Sequence, residues 1–335
     1  MNKILSILFL CAFIFTANAK PVKNVNDGDL DIDYTFYSDT TYLLNGKVYV
    51  RNSTLTIQAG VVVKGKAHDD PTNASALIVT KSGYINAQGT QFSPIIFTAE
   101  KDNIIIPCDI GKEERGLWGG LIILGEAPIC EGCGIQYIEG LPQNDDGKYG
   151  GNNPDDSSGV LKHISIRHGG AEIGEGNEIN GLTMGGVGRK TKISYIEVFC
   201  NLDDGFEWFG GTVNCYNLIS AHNGDDAFDW DQCYTGTLQF LFAIQSPITG
   251  DRCAEMDGIC GFSDPSYSDP CVANATYLGS GMNSINKQGS KLMLKFRDNT
   301  AGKYLNSIFG DDTYRAIDIE DDPALPHDSY DHLMA

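Results

Sequence analysis

An acidic and aromatic motif occurs twice in this chain, and its spacing constrains the fold more than any other feature. Asp203–Trp208 (DDGFEW) recurs as Asp225–Trp230 (DDAFDW), with every position displaced by 22 residues. A period of about 20 to 25 residues is too short for a propeller blade of roughly 40 residues and suits one coil of a parallel β-solenoid. The motif therefore predicts stacked coils of about 22 residues, spaced by about 4.8 Å.

The rest of the sequence indicates short strands. Alternating or β-branched apolar runs occupy 48–50, 55–57, 61–63 and 76–79, and Gly, Asn, Asp or Ser separates them. No stretch of about 12 residues combines a 3.6-residue apolar period with helix caps. We predict an all-β chain without long helices.

Composition excludes two classes of protein. The 335 residues include 24 basic and 44 acidic side chains, for a formal net charge of -20, so a nucleic-acid polyanion would be repelled. With 41% hydrophobic residues the chain can bury a sizeable core, which excludes global disorder.

The N-terminus has the pattern of a secretory signal peptide. Lys3 precedes an apolar run, Ile4–Phe15, and Ala17–Ala19 has the small-x-small form of a cleavage site. We predict a signal peptide at residues 1–19 and a secreted or cell-surface protein. Residues 20–335 are predicted to form one domain with no membrane span and a less regular C-terminal end.

The cysteine pattern predicts disulfides. Nine of the ten cysteines follow the signal segment, and in an exported chain they indicate cross-links. Cys130 and Cys133 are interpreted as a loop staple rather than as a metal or redox site. The Cys- and Pro-rich stretch at about 250–275 is predicted to be a disulfide-pinned loop.

Several glycine-rich segments carry a family resemblance. Gly83–Thr90 followed by Pro94–Thr98 looks like the coil motif of secreted right-handed parallel β-helix proteins, and Gly116–Gly125 and His168–Gly170 extend the likeness. The chain resembles a group of bacterial surface and secreted proteins within the pectin-lyase-like superfamily. The resemblance implies a right-handed parallel β-helix and no particular reaction.

The repeated motif predicts a ladder of like charges outside the solenoid. Neighbouring strand residues point to opposite faces, so the motif's two aromatic side chains should enter the core and the acidic side chain between them should point outwards. Stacking would then bring together Asp203 over Asp225 and Glu207 over Asp229, with Asp231 close by. Carboxylates about 5 Å apart need a cation, a hydrogen-bond donor or a raised pKa.

Three interpretations of this ladder remain open. In the first, the aspartates only satisfy backbone groups in turns. In the second, the ladder binds Ca²⁺, because clustered carboxylates with few lysines nearby suit a hard cation; the metal ligands would be Asp203, Glu207, Asp225, Asp229 and Asp231. In the third, it acts on glycans.

The glycan interpretation comes from a second resemblance. Asn201–Asp203 and Gly224–Asp226 are similar to the Asn-x-Asp and Gly-Asp-Asp motifs of β-helix pectinases. This resemblance implies that Asp203, Asp225 and Asp226 are the catalytic carboxylates of a polysaccharide hydrolase or lyase.

The basic partners of such an enzyme are not evident. The pectinase Gly-His-Gly has no counterpart near Gly250, Lys295–Arg297 is a distant and reversed substitute for Arg-x-Lys, and Arg252 is the only nearby cation. We therefore predict a non-catalytic adhesion, matrix or scaffold protein that contacts polysaccharide or surface partners, with calcium as the only cofactor. The alternative is a polysaccharide hydrolase or lyase. An aromatic-lined groove across the motif would favour sugars.

Histidines are weaker candidates for a site. His163, His168 and His222 are interpreted as packed turn residues rather than as ligands.

Overall fold

The computed structural model describes residues 20–70, 73–133, 135–174, 177–258, 266–281, 284–285, 292–311, 315–320 and 328–333. The predicted signal peptide, residues 1–19, lies outside these residues.

Short strands make up nearly all of the regular structure in the described residues. Apart from them there is a 3-10 helix, Glu131–Cys133, and one short α-helix, α1, Ser329–Leu333. None of the helices described has the length and apolar character to cross a membrane. The strands are β1 (Val22–Val25), β2 (Tyr34–Phe36), β3 (Thr41–Leu44), β4 (Lys47–Val50), β5 (Thr54–Ile57), β6 (Val62–Gly65), β7 (Ala76–Val79), β8 (Tyr84–Gln88), β9 (Ile95–Ala99), β10 (Leu121–Leu124), β11 (Gln136–Tyr137), β12 (Lys148–Tyr149), β13 (Gly159–Arg167), β14 (Glu172–Gly174), β15 (Asn177–Glu178), β16 (Leu182–Gly185), β17 (Lys192–Phe199), β18 (Phe206–Phe209), β19 (Asn214–Ala221), β20 (Phe228–Asp231), β21 (Thr237–Ile244), β22 (Ala254–Met256), β23 (Cys271–Ala273), β24 (Thr276–Leu278), β25 (Leu292–Phe296), β26 (Lys303–Leu305), β27 (Ile308–Gly310) and β28 (Arg315–Ile319).

The strands form two long parallel sheets. The broad sheet has 15 strands, with the main order β1-β3-β6-β9-β13-β17-β19-β21-β23-β26, and the narrow sheet has nine, in the order β28-β25-β22-β20-β18-β16-β10-β7-β4. The chain alternates between the two sheets, and each strand pairs with its counterpart in the next coil. This is a parallel β-helix, as the sequence predicts.

The coil length varies around the predicted value. Phe206 pairs with Phe228, an offset of 22 residues, and Trp208 pairs with Trp230. Elsewhere the offset is larger: Leu121 pairs with Leu182, 61 residues later, because a long connection is inserted between β10 and β13. The 22-residue coil is thus the local repeat of the acidic motif rather than a constant of the whole chain.

A ladder of left-handed residues bends the broad sheet. His163, Tyr195, Asn217 and Phe240 have φ between 49° and 61°, and each interrupts the pairing of a long strand. An L-residue with positive φ turns the chain sharply, so stacking of these residues creates a continuous corner. His163 is therefore a turn residue, as interpreted from the sequence.

A second ladder of the same kind follows the broad sheet. His168, Cys200 and His222 have φ of 57°, 55° and 56°. Both remaining candidate histidines thus occupy corners as well.

The aromatic half of the repeated motif fills the core. Phe206, Trp208, Phe228 and Trp230 have no solvent exposure. The rings of Phe206 and Phe228 stack with centroids 5.4 Å apart. Burial of each such side chain contributes about 1.5–3 kcal/mol relative to exposure, so the prediction that these residues point inwards is confirmed.

The Cys-rich region is more regular than expected. Within the stretch predicted to be a loop, Ala254–Met256 forms the fully buried strand β22, and Cys271–Ala273 forms β23. These strands are too short to produce a periodic signal. Residues 259–265 lie outside the described part of the chain.

The predicted cross-linking is observed at Cys130. This residue forms a disulfide with Cys233 across a sequence separation of 103 residues. Cys133 is also disulfide-bonded. The interpretation of these cysteines as a structural staple is confirmed.

Candidate functional site

One column of outward-facing side chains runs along the narrow sheet and changes from apolar to acidic. The apolar members belong to a buried cluster with Ile138, Leu141 and Tyr149 from the long connection after β10. The acidic members lie beyond this cover and border a cavity. In order, the column is Tyr49, Ile78, Ile122, Thr183, Glu207, Asp229, Glu255, Lys295 and Asp318.

The cavity has a volume of about 370 Å³. We call it the acidic cavity. Strands β18, β20 and β22 form its floor, and the turns that precede β18 and β20 form one wall. Its polar lining consists of Asn180, Thr183, Asp203, Asp204, Glu207, Asp225, Asp226, Asp229, Asp231, Glu255, Asp257 and Arg297.

The second aspartate of each motif holds the coils together. Asp204 and Asp226 are only 6% and 2% exposed. An oxygen of Asp204 accepts a 2.8 Å hydrogen bond from the backbone N–H of Asp226, and Asp226 accepts one from the backbone N–H of Arg252. These two carboxylates therefore satisfy backbone donors in the next coil, as the structural interpretation of the motif expects.

Carboxylates also converge within the cavity. Oxygens of Asp204, Glu207 and Asp229 lie within 4.8 Å of one another, and so do oxygens of Asp226, Asp229 and Glu255. Asp229 belongs to both groups. Each group has the separation that a single cation could bridge.

Two further groups of the same kind lie at the rim. One comprises Asp203, Asp204 and Asp225, and the other comprises Asp225, Asp226 and Asp251. Asp225 is exposed there.

Two buried oxygens in the cavity lack hydrogen-bond donors. They are Oδ1 of Asp229 and Oδ1 of Asn180, a residue that is 6% exposed. The Asn180 amide donates to Glu207 through its nitrogen. A buried acceptor without a donor costs about 1–3 kcal/mol, so both oxygens indicate a missing electrophilic partner.

Burial dominates the electrostatics of the cavity. Burial, reinforced by neighbouring carboxylates, raises the pKa values of Asp204, Glu207, Asp226 and Asp229 well above the usual range.

The outer members of the cluster are shifted as well. Burial, followed by Asp257, raises the pKa of Asp231 to about 7. Burial raises that of Glu255 to about 7 against the opposing effect of Arg252. In the absence of a cation, part of the cluster is therefore protonated at neutral pH.

Two arginines accompany the cluster. Nη1 of Arg252 lies 2.9 Å from Glu255 and 2.7 Å from Asp251. Arg297 forms a two-pronged contact with Asp257 at 2.7 and 2.9 Å. Nearby carboxylates raise the pKa of both guanidinium groups.

The position of Arg297 corrects the sequence analysis. Lys295–Arg297 was expected to be too distant to take part, yet Arg297 lines the acidic cavity. Strand β25 places it there, paired with β22 at a 40-residue offset from Ala254 to Leu294. This offset is far from the 22-residue period, so the repeat gave no indication of it.

The structure brings the predicted metal ligands together with unequal burial. Glu207 stacks over Asp229 in register, as predicted. Asp231 lines the same cavity but joins none of the three-carboxylate groups found in the described residues. Asp203 and Asp225 are neighbours at the rim.

The predicted catalytic residues divide between the rim and the interior. Asp203 and Asp225 lie at the rim, whereas Asp226 is buried. Sequence reasoning missed Asp204, Glu255 and Asn180. The only available signal was the second aspartate of each copy of the motif, which identifies Asp204 as the counterpart of Asp226.

Comparison with known proteins identifies the family. A family model described as a pectate-lyase-like β-helix domain matches residues 28–333. Searches of curated proteins and of solved structures found no match. The match spans nearly the whole chain and agrees with the two parallel sheets described above. The chain therefore belongs to the pectate-lyase-like β-helix domain family.

Proposed function

We propose that this protein is a secreted polysaccharide-binding β-helix that holds a calcium-type cation in its acidic cavity. The observation that carries the proposal is the position of Asp229, shared by two three-carboxylate groups beside the donorless oxygen of Asn180. Membership of a pectate-lyase-like family supports a role with polysaccharides.

The chemistry of the ligands favours a hard cation. Ca²⁺ takes six to eight oxygens from carboxylates, carbonyls, amides and water at about 2.3–2.6 Å. Asp204, Glu207 and Asp229 would supply carboxylate oxygens, and Asn180 would supply an amide oxygen. A bound cation would neutralise carboxylates that burial otherwise forces to take up protons.

The cavity is open enough to share such a cation with a ligand. Asp203 and Asp225 lie at its rim, where a sugar hydroxyl or carboxylate could complete the coordination. The signal-like N-terminus and the Cys130–Cys233 disulfide support an exported, oxidised protein.

Calcium titration of the EDTA-treated protein tests the cation. We expect calorimetric binding and, at about 100 times Kd, a stabilisation of ~2.7 kcal/mol. Glu207→Gln should weaken binding at least tenfold, because it removes one charge from the Asp204 group. Asp155→Asn, at an exposed aspartate outside the cavity, is the matched control and should bind normally. Absence of binding heat and of any change in Tm would overturn the cation site.

Retention on immobilised polysaccharides tests the ligand. With calcium present, at least one acidic or neutral polysaccharide should retain the protein, and EDTA should release it. Retention that EDTA leaves intact would disconnect polysaccharide binding from the cavity.

A second candidate is polysaccharide hydrolysis, and the specific observation that favours it is the placement of Arg297 among the cavity carboxylates. Asp231 and Glu255, with pKa values of about 7, could donate protons at neutral pH. The guanidinium groups of Arg252 and Arg297 are held protonated, which suits charge stabilisation better than the base of a lyase. Release of reducing ends, abolished by Asp225→Asn, would establish this activity.

A further inference from the structure

A groove of about 490 Å³ crosses the broad sheet over strands β13, β17, β19 and β21. We call it the corner groove, because one wall is the ladder of left-handed residues. It shares no lining residue with the acidic cavity. Four strands at a spacing of about 4.8 Å span roughly 14 Å, so the groove suits an elongated ligand.

Aromatic rings form the wall of the corner groove. His163 and Tyr195 stack with centroids 4.6 Å apart and planes inclined by 18°. Phe240 continues the ladder two coils further on. Tyr195 is 48% exposed and Phe240 is 50% exposed. Large aromatic surfaces left in water on a rigid solenoid indicate a contact surface.

The floor combines a fixed polar network with apolar residues. Arg167 donates a 2.7 Å hydrogen bond to the hydroxyl of Ser165, which donates a 2.6 Å hydrogen bond to Glu197. The next two residues in the column are apolar, Ile219 and Phe242. The groove therefore offers hydrogen-bonding groups at one end and an apolar strip at the other.

The charge of the groove favours a neutral ligand. Among its lining residues Arg167 and Glu197 offset each other, although the chain carries a net charge of -20. Burial, followed by Lys162, lowers the pKa of His163. A polyanion gains nothing there, and a second copy of this acidic chain would be repelled.

We infer that the corner groove binds a neutral polysaccharide chain, independently of the acidic cavity. Sugar rings have apolar C–H faces that can lie on the electron-rich faces of Tyr195 and Phe240. Their edges carry hydroxyl groups that can exchange hydrogen bonds with Arg167, Ser165 and Glu197. An adjoining cavity of about 520 Å³ also contains Arg167 and Glu197, and it extends the path of the chain.

Affinity electrophoresis in gels containing neutral β-glucan, mannan or xylan tests the inference, with EDTA present throughout. At least one polysaccharide should retard the protein. Tyr195→Asn and Phe240→Asn should each weaken binding about fivefold, since each removes one ring. Asparagine keeps the positive φ, as Asn217 does at the same corner. Tyr216→Asn, at an exposed tyrosine outside the groove, is the matched control.

Three outcomes would overturn the inference. The first is the absence of retardation by every neutral polysaccharide. The second is full retention of binding in the Tyr195→Asn/Phe240→Asn double variant. The third is self-association, seen by light scattering, that the double variant abolishes, which would make the groove an interface between copies. Because EDTA is present, failure of the calcium site leaves this test unaffected.

Discussion

At the scale of single residues, Asp229 determines most of the electrostatics of the acidic cavity. Its carboxylate lies in both inner carboxylate groups, and one of its oxygens has no hydrogen-bond donor. Glu207 contributes most among the neighbouring charges that raise its pKa, after burial. Asp229 is therefore costly without a cation and valuable with one.

Asp229→Asn should consequently have opposite effects in the two states. In EDTA at pH 8 we expect a higher Tm than in the wild type, because the substitution removes a buried charge at constant shape. With calcium we expect the stabilisation by the ion to fall by at least half. Differential scanning fluorimetry in both buffers measures this, with Asp155→Asn as the control. A lower Tm in EDTA would contradict the electrostatic account.

At the scale of structural elements, the glycine of the Gly-Asp-Asp motif has a packing role. Its N–H bonds to the carbonyl of Asn201 at 2.8 Å. A Cβ at Gly224 would lie 1.8 Å from the carbonyl oxygen of Leu202. Close stacking of successive coils therefore requires glycine here, whatever the function of the aspartates that follow.

Gly224→Ala should destabilise the fold by about 2–3 kcal/mol, because the backbones of two coils must separate to admit the methyl group. Gly111→Ala is the matched control, since nothing lies within 4 Å of a Cβ at that glycine. Urea unfolding followed by tryptophan fluorescence measures both. Equal stability of the two variants would show that the coils are not in close contact at Gly224.

The same elements show what could be predicted from the sequence. The 22-residue repeat was sufficient to predict the inward position of Trp208 and the stacking of Glu207 on Asp229. It could not indicate Glu255 or Arg297, because coils of other lengths carry them. It also could not indicate Asn180, which reaches Glu207 from an earlier coil without any repeated motif.

At the scale of the whole molecule, excess negative charge is concentrated where burial opposes ionisation. Asp231 and Glu255 have pKa values of about 7 in the folded protein, against about 4 in an unfolded chain. Between these values the folded state binds more protons than the unfolded state. The free energy of unfolding of the metal-free protein should therefore fall as pH rises from about 4 through about 7.

In EDTA, Tm should be lower at pH 8 than at pH 5.5 by about 5 °C or more. The Asp231→Asn/Glu255→Gln variant should reduce this difference, which separates the local effect from general charge repulsion. Saturating calcium should also reduce it in the wild type. Thermal unfolding across this pH range, with and without calcium, measures all three; a Tm that rises with pH in EDTA would contradict the account.

The Cys130–Cys233 disulfide also has a mechanical consequence. It closes a loop of 103 residues that contains both copies of the acidic and aromatic motif. If tension is applied between the two ends of the chain, the force passes through this covalent link and leaves the enclosed coils unloaded. Roughly 350 Å of extended chain is thereby protected from being pulled out. A protein tethered between a surface and a polysaccharide network could yield at either end while the coils that carry Glu207 and Asp229 stay unstretched.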